Sequence, residues 1–174
     1  MRTDLYGLVH KAQRHHLFAI GRELGTAEVD DSVTRARLAG AVREIVSMLA
    51  DHAENERRYV HPLFTRTGGA ADAIEREHHE LEAMLDEWEK IVAQGRWTEF
   101  YRATMRIIGT YLLHIDAEER AQAEVLWPNY TDAELGEAMG RFKAERDPEA
   151  ARADLALLMP VLSAAQRAAM GLDI

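Results

Sequence analysis

Apolar residues recur at three- and four-residue steps through segments of roughly 20 to 30 residues, a helical rather than an alternating period. This period is what most limits the folds open to the chain. One segment carries Leu38, Val42, Ile45 and Leu49; the next Ile74, Leu81, Leu85, Trp88 and Val92; a later one Phe100, Thr104, Ile107 and Tyr111. At about 100° per residue, Tyr6, Val9, Leu17, Ile20 and Leu24 of the first segment also share a face. Turn signals at 25–32, 65–70, 94–96, 127–132 and 146–149 separate these stretches. The pattern predicts an all-α chain in which residues 1–130 form an up-down-up-down antiparallel four-helix bundle. Residues 131–174 are expected to be a C-terminal extension of two or three short helices docked on it. Capping-box patterns at Thr131–Glu134 and Ser163–Gln166 open two of them.

Each apolar stripe, extended, meets a polar residue of one of two kinds. The step after Leu49 lands on His52, then Glu56, then Tyr59. The step after Tyr111 lands on His114, then Glu118, and the step after Ile74 lands on His78. In the first segment His10 and His16 flank the apolar face with Gln13 near its centre. His10 also lies on the axial line of Leu17 and Leu24, which favours it. His15 points away. His15 and His79 are read as solvated, His61 beside Pro62 as a helix-end residue, and Glu119 as surface charge.

His10 and His78 fall early in their helices, and His52 and His114 fall late in theirs. An antiparallel bundle therefore brings all four toward one end, in one layer. Unpaired imidazoles and carboxylates buried there would cost several kcal/mol per charge. A metal compensates them. Two His-x-x-x-Glu pairs suggest two ions sharing one site, and bridging glutamates favour iron or manganese over a lone structural zinc.

Composition removes other classes. A net charge of −9 argues against nucleic acid as a partner, and 47% hydrophobic residues argue against disorder. The absence of cysteine excludes thiolate ligands, thiol nucleophiles and disulfides. No signal-peptide-like or membrane-spanning stretch stands out, so a cytoplasmic location with no membrane partner is expected.

Four motifs together resemble the hemerythrin-like, or HHE cation-binding, family: VHKAQ (9–13), HAENERRYVHPLF (52–64), EHHELE (77–82) and LHIDAEE (113–119). The resemblance spans roughly residues 5–128. It implies a four-helix bundle around two iron ions, oxo- or hydroxo-bridged, with manganese or zinc as alternatives. Position by position, it implies His10, His52, Glu56, His78, His114 and Glu118 as ligands, the carboxylates bridging.

The chain departs from the oxygen-carrying members, which have five histidines. Glu82 stands where their third helix has a second histidine, and the fourth-helix pair is spaced by four residues rather than five. Glu82 is a ligand or a rim charge, and Gln13 or His16 could fill the vacancy. A centre richer in carboxylate favours oxidised iron. The expected function is binding or sensing of O2, NO or peroxide, with Tyr59 and Tyr111 one turn from ligand positions and placed to hydrogen-bond a bound species. The alternatives are a di-iron enzyme (peroxide decomposition, ferroxidase or oxygenase type) and a metal-stabilised interaction protein, with the tail as a homo-oligomer surface.

Overall fold

The computed structural model describes residues 2–68 and 71–172, and every regular element among them is helical. Four long helices carry the stripes: α1 (Gly7–Leu24), α2 (Ser32–Tyr59), α4 (Ala71–Ala93) and α5 (Trp97–Ala121). A short α3 (His61–Arg66) follows α2. Beyond α5 come a π-turn (Gln122–Leu126), α6 (Trp127–Asn129), α7 (Asp132–Glu145), α8 (Pro148–Leu158), a 3-10 turn (Met159–Val161) and α9 (Ala164–Ala169).

The boundaries have local causes. Asp31 caps α2, its side chain accepting from the Thr34 N–H at 2.7 Å. Gly95 takes φ +68° between α4 and α5, a left-handed conformation that a side chain would strain. Thr131 and Ser163 form complete capping boxes at the starts of α7 and α9, and Pro148 sits in the first turn of α8. Residues 69 and 70 of the 65–70 turn signal lie outside the described residues.

Around the long helices each neighbour pair makes contact: α1 with α2 and α5, and α4 with α2 and α5. Their inward faces build the main apolar core, from Leu17, Leu38, Ile45, Trp88, Phe100, Ile107 and their neighbours. Trp88 is fully buried and its indole N–H donates to Thr104 Oγ1 at 2.8 Å. A second apolar cluster, with Leu5, Tyr6, Leu63, Phe64, Ile74, Leu126, Leu135 and Ala138, gathers α3, α7 and the π-turn against the residues just before α1 and the first turn of α4. On all four long helices the candidate ligands fall in sequence between residues of the two clusters. Polar side chains there are enclosed by apolar packing on both sides.

The tail packs on the chain itself. α7 contacts α2, while α8 and the 3-10 turn contact α1. Lys11 Nζ donates to the Val161 carbonyl at 2.6 Å, and Arg146 joins Asp51 of α2 to Asp154 of α8. No helix among the described residues is long and apolar enough to cross a membrane.

Candidate metal centre

Six residues from the four long helices meet in one buried layer: His10 (0% exposed), His52 (8%), Glu56 (2%), His78 (2%), His114 (3%) and Glu118 (0%). All four imidazoles turn Nε2 toward the two carboxylates. His10 Nε2 stands 3.2 Å from Glu118 Oε2 and 3.3 Å from His52 Nε2. His52 Nε2 is 3.5 Å from Glu56 Oε1. His78 Nε2 is 3.0 Å from Glu56 Oε2 and 3.2 Å from Glu118 Oε1, and His114 Nε2 is 2.9 Å from the latter. Yet both Glu56 oxygens and Glu118 Oε2 lack a hydrogen bond of acceptable geometry. Converging lone pairs left unsatisfied are what a cation would satisfy.

The donors divide into two groups of four, His10–His52–Glu56–Glu118 and Glu56–His78–His114–Glu118. Within each, one ligating atom per residue lies within 4.8 Å of the others. The groups share both glutamates and split the histidines two and two. Nitrogen and oxygen donors without thiolate suit iron, manganese or zinc.

Three outward-facing nitrogens look toward acids. His10 Nδ1 is 2.9 Å from Glu119 Oε1, an oxygen Arg14 also holds at 2.9 Å. His114 Nδ1 is 2.9 Å from Glu77 Oε2. An ionised carboxylate only accepts, so Nδ1 carries the hydrogen in both and Nε2 is left to face inward. His78 Nδ1 is 3.7 Å from Glu75, too far for a hydrogen bond, and its ring stacks on His61 at 5.4 Å. Glu119 is thus an orienting partner of His10 and not the free surface charge its position suggested. Truncating Glu119 or Glu77 to alanine is expected to weaken metal binding about 10- to 100-fold, the usual effect of losing such a partner. Competition against a chelator of known affinity reads this out, and unchanged affinity in both variants contradicts it.

Charges in the layer are strongly coupled. Burial alone would raise the Glu56 carboxyl, but the His52 and His78 imidazoles outweigh it and hold the group well below the usual carboxylate range. Burial and then the Glu56 charge push Glu118 well above that range. Two carboxylates this close do not ionise independently. Burial pulls His78 down, yet contacts to Glu118 and Glu56 bring it up to about 9. Burial and the neighbouring His52 lower His10 to about 3, against the opposing pull of Glu119. A metal entering this layer must displace the His78 proton.

The other candidates lie elsewhere or remain unengaged. Tyr59 is turned out of the layer: its hydroxyl donates to Glu145 Oε2 at 3.1 Å and its ring packs on Phe142, because α7 docks beside the end of α2. The expectation that Tyr59 faces a bound ligand is therefore corrected. His16 Nε2 is 3.1 Å from the Leu157 carbonyl of the tail. Glu82 pairs with Arg57 at 2.6 Å and with the exposed His79, as a rim charge does. Gln13 is fully buried with neither amide atom partnered, and the Tyr111 hydroxyl is likewise buried and unpartnered.

Sequence reading passed over Tyr6. It is 1% exposed, stacks on His10 at 4.8 Å, and its hydroxyl lacks a partner of good geometry. Burial, then the charges of Glu56 and Glu118, push its phenol well above the ordinary value. The signal was in the sequence: Tyr6 precedes His10 by four residues on the same helical face.

Buried histidines and glutamates on four helices, with orphaned oxygens at their centre, define a metal-binding helical domain. The chain belongs to the hemerythrin family: the hemerythrin HHE cation-binding domain model matches residues 3–126. Neither curated proteins nor solved structures give a significant match.

Proposed function

We propose that the protein holds two iron ions and binds or senses O2, NO or peroxide. The observation that carries this reading is the sharing of Glu56 and Glu118 by two four-residue groups, each with its own pair of histidines. His10 and His52 would hold one ion and His78 and His114 the other. A ferrous pair supplies one electron per ion to a small bound ligand. The reading takes α1, α2, α4 and α5 as an up-down-up-down bundle within residues 1–130, with 131–174 as an extension. The cycle of helix contacts and the alternation of early and late ligand positions support it.

A cavity of about 10 Å3 adjoins the layer, lined by His52, His78, His114, Tyr111 and the apolar Leu49, Leu81 and Leu85. It has room for one water-sized molecule. Its lining also includes Glu82 and the exposed Ala50 at the rim, and the unpartnered Tyr111 hydroxyl is available as a donor to whatever enters. Larger cavities, of about 470 Å3 between α4 and α5 and about 100 Å3 between α1 and α2, include none of the six residues. This favours a diatomic or peroxide ligand over an oxygenase substrate. Cytoplasmic action is part of the reading.

The test is anaerobic reduction of the iron-loaded protein followed by O2, NO or peroxide. A new charge-transfer band with at least one ligand is expected, with Tyr111→Phe hastening its decay. No spectral change with any of them would refute the reading, and many turnovers of peroxide would move it from binding to catalysis.

A further inference from the structure

Packing explains the Tyr6 ring but not its hydroxyl. The ring belongs to the apolar cluster of Leu63, Phe64, Ile74 and Leu126, where phenylalanine would fill the same space without a polar atom to bury. Its backbone is fixed. Asp4 Oδ1 accepts from the N–H groups of Tyr6 and Gly7 at 3.0 and 2.9 Å, and Gln122 holds Asp4 and the Leu5 N–H. Tyr6 therefore enters α1 in a set position, its ring 21° from parallel with the imidazole of His10. The hydroxyl feels Glu56 and Glu118, the two carboxylates that the Nε2 atoms face. Tyr111, the other unpartnered tyrosine, lines the small cavity, whereas Tyr6 does not. Four imidazoles and two carboxylates also leave coordination positions open on a pair of irons; His16 and Glu82 are engaged elsewhere, and the buried, unpartnered Gln13 offers only a neutral amide oxygen where Tyr6 can offer an anionic one.

We propose that Tyr6 is an additional ligand of the centre, its phenolate oxygen binding the ferric ion held by His10 and His52. This rests on the di-iron reading and deepens it. Ligation replaces the phenolic O–H bond with an O–Fe(III) bond and releases one proton to solvent, with no change of oxidation state. The cation reverses the local preference for a neutral phenol. A hard anionic oxygen donor favours Fe(III), so the resting centre is ferric and suited to peroxide rather than to reversible oxygen carriage.

The experiment is visible absorption and resonance Raman spectroscopy of the full chain loaded with ferric iron, with iron content measured on the same samples. Wild type and Tyr111→Phe are expected to show a phenolate-to-iron charge-transfer band with enhanced phenolate ring modes. In Tyr6→Phe the band should disappear while two irons per chain remain. A wild type with two ferric ions and no such band overturns the proposal and leaves the di-iron reading standing. Survival of the band in Tyr6→Phe, or its loss in Tyr111→Phe with iron retained, also overturns it. Should Tyr6→Phe lose its iron, the Tyr111→Phe spectrum decides between the two buried tyrosines. A wild type that takes up no ferric iron ends both this proposal and the reading beneath it.

Discussion

Removing the metals from both sites by chelation is expected to lower the thermal midpoint by on the order of 15–30 °C. A ligand present at a thousand times its dissociation constant stabilises the folded state by about 4 kcal/mol per site. For a chain of this size each kcal/mol moves the midpoint by about 2–4 °C. The structure shows where the effect originates. Without a cation, both Glu56 oxygens and Glu118 Oε2 are buried and accept no hydrogen bond, and four imidazoles crowd around them. Differential scanning calorimetry of the loaded and stripped protein measures the shift. Equal midpoints would mean that the layer is satisfied without metal.

Glu118→Leu separates site function from stability. Both four-residue groups include Glu118, so the variant should bind metal at neither position with wild-type affinity. In the stripped state it should nonetheless be slightly more stable than stripped wild type, since burial and the Glu56 charge already disfavour the ionised Glu118 carboxyl and leucine removes that like-charge neighbour. Leucine fits a position between Ile115 and Leu126 on a fully buried face. Opposite signs for binding and for apoprotein stability are the mark of a residue retained for its ligand. A variant that is less stable and still loads two ions would assign Glu118 to the core instead.

Much of this layer was legible because two constraints act on the same residues. Helical period fixes the face, and only a polar residue with a partner is tolerated where an apolar stripe should continue. His52, Glu56, His78, His114 and Glu118 each break a stripe, and the structure brings them together with His10. What the sequence did not disclose depends on neighbouring helices. Glu119 follows Glu118 by about 100° of rotation, which turns it toward His10 on α1, and Glu77 precedes His78 and turns likewise toward His114 on α5. Such partners are seen only once it is known which helices are adjacent.

The tail was the harder part. Tyr59 and His16 lie near site-facing positions, but α7 and the end of α8 supply Glu145 and the Leu157 carbonyl that engage them. No stripe on α1 or α2 encodes those contacts. The π-turn after α5 was equally hidden. It places Gln122 where it holds Asp4 and Leu5, and so sets how Tyr6 and His10 enter the layer.

Metal content per chain by elemental analysis, with an absorption spectrum of the same purified sample, tests the central claim most directly. Two irons per chain, with the near-ultraviolet bands of a bridged ferric pair, are predicted from two donor groups sharing Glu56 and Glu118. One zinc per chain, or no metal after reconstitution with iron, would contradict it.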